Sequence, residues 1–311
     1  MAKQPTVAVI GSVNIDICGR PDAAFVARDS NPGAVTTALG GVGANIARNL
    51  ALLGCKVSLV TALGGDAHAA LAREQLAREG LDLSVALEIP EARTSTYLYI
   101  TDANGDMVAA VADMKIQQRL TPDFLRTRLE FLNAADAVVV DANLSEASLR
   151  FVGEAVTAPL FADAVSAAKA PKLLAILPRL TLLKLNRLET EALTGIRIED
   201  EADLLRAGKA LLARGLNRPY ITLGAAGALC LDAHGVEQFP ALPPARLVNT
   251  TGAGDAFTAA LVWSRLQGMG PHEAARAGLA AATIALESEQ AVNPELTPAR
   301  VRQKILENTK H

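Results

Sequence analysis

GGVGANIARNLALLGCKVSLV, residues 40–60, changes its hydrophobic period half-way along. Ile46, Leu50 and Leu53 recur at helical spacing, and Gly54 stands where a helix end wants a left-handed residue. KVSLV, which follows at once, is apolar and β-branched like a buried strand. TVAVIGSV (6–13) upstream is a similar run ending at glycine, so strand, helix and strand follow one another. Asp66 is then placed to cap a helix through AHAALAREQLARE, which Gly80 ends. Strand-like runs return at AVVVDANL (137–144), PLFADAV (159–165), LTLLKLN (180–186) and PYITLGAAGALCL (219–231). This rhythm predicts an α/β fold with a largely parallel central sheet.

Two stretches interrupt the rhythm. Residues 15–38 show no helical pattern, and STYLYITDANGDMVAAVA (95–112) reads as a hairpin turning at Asn104-Gly105. Both are expected to form a small β-sheet over the C-terminal edge of the main sheet, where open α/β folds place ligands. Decorative hairpins are the alternative. No repeat, low-complexity segment or linker divides the 311 residues into halves.

Composition narrows the function classes. The chain is 50% hydrophobic and 20% charged, with a net charge of −3, which offers no electrostatic footprint for nucleic acid or a membrane surface. Cys18, Cys55 and Cys230 are odd in number and far apart, against both a disulfide framework and a zinc site. The opening MAKQPTVAVIGS has too short an apolar core for a secretory leader, and no apolar run is long enough to span a bilayer. A cytoplasmic protein is expected.

Four clusters can carry chemistry. In VNTTGAGDAF (248–257), Gly252 and Gly254 allow close backbone approach, and N–H groups entering a helix suit a phosphate. Asp255 beside such a cradle would repel the anion, unless it takes a proton from a hydroxyl attacking the phosphoryl group. A simple helix cap is the competing reading. GGVGANIA (40–47) is neither a P-loop nor a dinucleotide fingerprint. Its glycines and Asn45 suit a polyol, as do Asn14 and Asp16, which share one side of a strand. Asn186 and Glu189 share a helix face and offer hard oxygens for Mg²⁺, or merely cap that helix. Gly224 and Gly227 follow a strand, as a plain turn or as a floor for a nucleotide.

Together these clusters resemble the PfkB, or ribokinase-like, family of sugar and nucleoside kinases. GGVGANIA and TTGAGDAF resemble its two signatures, and KLNRLETE (184–191) and TLGAAGAL (222–229) fall where it has its magnesium-associated NxxE and its nucleotide loop. The resemblance spans essentially the whole chain, in order and spacing. It implies one ribokinase-like domain over residues 1–311, a three-layer α/β/α sandwich with a small β-sheet lid formed by segments near 15–38 and 95–112. Within the family the sequence looks most like the kinases of the C-nucleoside pseudouridine, through DSNPG (29–33), TSTYLYI (94–100), DANLSE (141–146) and DAVSAAK (163–169).

The resemblance implies ATP-dependent phosphorylation of the 5′-hydroxyl of pseudouridine. Asp255 would be the base, with the backbone of Gly252, Ala253 and Gly254 stabilising the transferring group. Asn14, Asp16, Gly40, Gly41 and Asn45 would hold the ribose, with Asn143 facing the substrate. Lys169, Asn186, Thr222, Gly224, Gly227, Thr251, Gly252 and Gly254 would meet the nucleotide, and Asn186 and Glu189 would act on Mg²⁺. Pseudouridine carries a ring N–H where uridine has C–H, so a lid acceptor is expected from Asp29, Ser30 or Asn31, with Thr94 and Tyr97 opposite. A monovalent cation is left open, because Asn249 replaces an aspartate that helps hold one. GLAAAT (278–283) is apolar where many relatives place an asparagine near the adenine. A homodimer through the open-edged lid sheet is expected. Two alternatives stand: a sibling kinase acting on ribose, fructose or an ordinary nucleoside, and a sensor without catalysis.

Overall fold

The computed structural model describes residues 4–307. Residues 1–3, the start of the segment judged too short for a leader, lie outside it, as do residues 308–311. In chain order the strands begin β1 (Thr6–Ile10), β2 (Asn14–Pro21), β3 (Gly33–Gly40), β4 (Lys56–Val60), β5 (Ala62–Gly64), β6 (Leu87–Ile89) and β7 (Thr96–Thr101). They continue as β8 (Met107–Asp113), β9 (Ala137–Asp141), β10 (Leu160–Asp163), β11 (Leu180–Asn186), β12 (Pro219–Thr222), β13 (Ala228–Asp232) and β14 (Gly235–Phe239). The α-helices are α1 (Val42–Leu52), α2 (Ala67–Arg78), α3 (Pro122–Arg126), α4 (Leu129–Ala134), α5 (Glu146–Ala155) and α6 (Arg187–Thr194). Then come α7 (Glu201–Ala213), α8 (Ala253–Leu266), α9 (Pro271–Leu286) and α10 (Pro298–Glu307).

An eight-stranded sheet runs in the order β14-β13-β12-β11-β10-β9-β1-β4. From β4 to β12 all neighbours are parallel, while β13 and β14 add an antiparallel edge. The alternation of each strand sends side chains to two cores. Val7, Val9, Val139, Phe161 and Leu182 pack with α1, α2, α8 and α9 on one face. Ala8, Ile10, Val138, Val140, Leu183 and Leu185 pack with α4, α5 and α7 on the other. The fold is an α/β three-layer sandwich, as parallel strands covered on both faces require.

The two interrupting stretches pair with each other. Their strands form a separate sheet in the order β3-β2-β7-β8. Its hairpin turns at Asn104-Gly105, where Gly105 takes a φ of 95°. Ile15 and Leu39 anchor its base in the core, whereas Val35, Leu98 and Val111 stand exposed on the same face farther out. The opposite face carries Asp16, Cys18, Tyr97 and Tyr99 toward the C-terminal edge of the main sheet.

Asp66 ties this sheet to the body. Its Oδ1 accepts from Ala69 N–H at 2.9 Å, capping α2, and from the Thr94 hydroxyl at 2.7 Å. Its Oδ2 accepts from Thr94 N–H at 2.8 Å. Thr94 is 3% exposed, so losing this carboxylate strands buried donors as well as a helix end. Asp200 caps α7 through Asp203 N–H alone and lies at the surface. Asp66→Ala should therefore cost about 2–3 kcal/mol in urea unfolding, clearly more than Asp200→Ala. Equal losses would show that the link to Thr94 contributes nothing beyond the cap.

Candidate active site

Strands β9 and β10 each end in an aspartate after an apolar run, and β11 carries Lys184 two residues before its end. Asp141 pairs in register with Asp163, and Asp163 with Lys184, so the three form one row across the sheet. All three share the face that carries Val139, Phe161 and Leu182, which turns them toward α1 and α8. They are 1%, 2% and 5% exposed. Buried charges need partners. Asp141 Oδ2 accepts from Ser12 N–H, the Ser12 hydroxyl and Gly43 N–H at 2.7, 2.9 and 3.1 Å. Asp163 accepts from the Thr258 hydroxyl at 2.9 Å and from Val165 N–H at 2.8 Å. Lys184 Nζ stands 3.5 Å from Asp163.

The TTGAGD segment comes down onto this row. Gly252 starts α8 in the left-handed region, φ 83°, and a Cβ there would meet the Ala291 carbonyl at 1.9 Å. Only glycine fits that turn. The first intrahelical bond runs from Ala256 N–H to the Gly252 carbonyl, so the N–H groups of Ala253, Gly254 and Asp255 precede the ladder. A Cβ on Gly254 would lie 2.9 Å from Lys184 Nζ. The missing side chain lets the ammonium sit directly under the helix start. Asp255 is 9% exposed and accepts from Asn45 Nδ2 on α1 at 2.8 Å. Burial, reinforced by the Asp163 charge, pushes its carboxyl up to about 8 against the opposing pull of Asn45 and Lys184. A proton acceptor tuned to that range suits general-base chemistry near neutral pH.

Two cavities meet at this segment. A polar one of about 330 Å³ is lined by Asp16, Cys18, Thr36, Tyr99, Asn249 and Thr251. An apolar one of about 640 Å³ is lined by Thr222, Gly224, Gly227, Ala253, Gly254 and Leu279 among others. The nucleotide candidates Thr222, Gly224, Gly227 and Gly254 thus come together, while Thr251 faces the polar side. On that side Asn14 Nδ2 donates to Asp16 Oδ1 at 2.5 Å, and Gly40 pairs with Asn14 in register. Burial raises the Asp16 carboxyl to about 6, with the Asn14 bond opposing it. Gly41 is the N-cap of α1, and Asn45 keeps its buried Oδ1 without a protein partner.

Other candidates are placed differently. Asn143 and Lys169, read separately, are bonded: Lys169 Nζ donates to Asn143 Oδ1 at 2.5 Å, and Asn143 Nδ2 to the Ser12 hydroxyl at 2.9 Å. Asn31 spends its side chain closing its own loop, accepting from Val26 N–H and donating to the Val26 and Asp29 carbonyls. Asp29 and Ser30 are exposed beside it. Thr94 is committed to Asp66 and Gly64. Tyr97 lies beside Asp16 in register and stacks on Tyr99, ring centroids 5.5 Å apart.

Asn186 and Glu189 form a reciprocal capping box at α6, each accepting from the other's N–H at 2.8 Å. Burial raises the Glu189 carboxyl while Lys184 opposes it. Among the described residues, no three His, Cys, Asp or Glu side chains are grouped to hold a metal.

Sequence reasoning missed Asp141, Asp163, Lys184, Thr258, Cys18 and Tyr99. A signal existed for the first three, since a charge in or closing a buried strand (VVVD, LFAD, LLKL) is costly unless it is used.

Comparison with known proteins gives the family and the fold. The pseudouridine kinase of Escherichia coli (strain K12) is 36% identical over 97% of this chain and 96% of its own length. The uncharacterized sugar kinase YeiI of the same strain is 35% identical over 96% of this chain and 82% of its own. The structure of Arabidopsis thaliana ribokinase complexed with ribose and ATP superposes with a TM-score of 0.87 at 23% identity, covering 97% of this chain and 99% of that one. The pattern of the pfkB family carbohydrate kinases matches residues 4–298, and the chain belongs to that family.

Proposed function

We propose that the protein transfers the γ-phosphoryl group of ATP to the 5′-hydroxyl of pseudouridine. The observation that carries the transfer is Asp255, buried beside unpaired helix-start amides where the two cavities meet. A hydroxyl delivered from the polar cavity would give its proton to Asp255, while the Ala253, Gly254 and Asp255 N–H groups receive the charge on the phosphoryl oxygens. Asn14, Asp16, Gly40, Gly41 and Asn45 would hold the ribose, Asn45 through its unpartnered Oδ1. Lys169 and Asn143 would act as a bonded pair. Mg²⁺ would reduce the charge of the triphosphate, held through its waters by Glu189 and Asn186, whose direct bonds go to their cap.

Pseudouridine as acceptor is supported by the relative of that name. An acceptor for its extra N–H would come from Asp29 or Ser30, because the Asn31 side chain is already engaged. The small sheet would close over the sugar and exclude water. Its exposed Val35, Leu98 and Val111 would seat a second copy, giving a homodimer. Leu98→Lys should then shift the sedimentation coefficient toward a monomer; a wild-type monomer at assay concentration would remove this part of the reading.

Kinetics test the acceptor. Pseudouridine should exceed uridine in kcat/KM by roughly 10- to 100-fold, the cost of stranding one acceptor that the closed lid would bury. Ribose or uridine turning over as well would move the chain to a sibling activity.

Asp255→Asn tests the chemistry with two readouts of opposite sign. Turnover should fall by about 10²–10⁴. Stability of the ligand-free protein should rise. The native carboxyl keeps its proton up to about pH 8, while the unfolded one releases it near 3.8. Its contribution to stability is thus lost as pH rises through that window. Asparagine does not ionise, so its advantage over wild type should grow from pH 4 to pH 8. Near-normal turnover, or a melting temperature that drops at every pH, would contradict the role given to Asp255.

A further inference from the structure

We infer that this protein uses purine nucleoside triphosphates as phosphoryl donors with little regard to which purine they carry. This rests on the reading that the apolar cavity receives the donor's base. Its wall is built from Ala241, Leu242, Phe257, Leu279, Ala282 and Leu286, and among the described residues no amide, carboxylate or cationic side chain lines it. The hydrogen-bonding side chains that line it are three threonines. Thr222 donates its hydroxyl proton to the Leu185 carbonyl at 3.3 Å. Thr283 has the Leu242 and Leu279 carbonyls at 2.9 and 2.8 Å, so its one proton is also spent on backbone. Thr250 stands on the exposed rim with Pro243 and Leu247.

Base identity is read strongly where a site must hydrogen-bond the base edge, because the wrong base leaves a buried group unpaired. An apolar wall sorts mainly by size. Adenine, hypoxanthine and guanine share ring dimensions and differ only along that edge. The exposed rim lets the edge stay in water while the ring faces pack inside.

Displacement of N-methylanthraniloyl-ADP by ADP, IDP and GDP tests this on the wild-type protein without an acceptor. The three affinities should agree within about tenfold. GDP binding more than tenfold weaker than ADP would overturn the inference and leave the kinase reading intact. A probe that does not bind at all would remove the kinase reading itself. Ala282→Phe, which fills the cavity from α9, should weaken all three nucleotides alike, with an unchanged melting temperature showing that it folds. Unaltered affinities in that folded variant would place the base elsewhere and overturn the inference.

Discussion

One buried ammonium holds the site together. Lys184 lies among Asp163, Glu189 and Asp255, three carboxyl groups that share this one cation among the described residues. Burial alone would favour loss of its proton, but the surrounding carboxylates outweigh burial and raise its pKa above the ordinary value. A single charge does not satisfy three opposing ones. Asp163 is closest and gains the Thr258 hydroxyl and a backbone N–H besides. Among the described residues Asn45 is the one side chain that donates to Asp255, too little to offset burial and the Asp163 charge, so Asp255 holds its proton tightly. Its basicity follows from how the row is shared out.

That row explains which parts were legible in the sequence. The βα rhythm, the caps at Asp66 and Gly54 and the turn at Asn104-Gly105 depend on neighbours a few residues apart, and period and turn chemistry reveal them. The Asp255 cradle was legible because its glycines and its carboxylate are contiguous. Asp141, Asp163 and Lys184 are separated by more than twenty residues between successive members, and only strand pairing brings them into line. The bonds that Asn31 and Thr94 make were hidden for a related reason. Their polar groups look free in a sequence, yet each is taken up by a backbone group or carboxylate that the fold supplies. Asn186 and Glu189 were legible as a pair, but spacing alone does not separate a cap from a cation site, and the reciprocal bonds show that the cap is made.

The position of the site on α8 shows how a poorly compensated carboxyl is tolerated. Every residue from Asp255 to Ser264 on that helix is buried, and α9 closes on it so tightly that a Cβ on Gly278 would meet the Phe257 ring at 2.8 Å. The apolar burial along both helices is large, and it fixes the start of α8 however unfavourable the charges there are. α1 packs alongside and brings Asn45 to Asp255. The same segment, residues 249–254, then divides the polar cavity from the apolar one. A helix start held by its own distant packing can carry a left-handed turn, unpaired amides and a raised carboxyl together. A surface loop would relax all three.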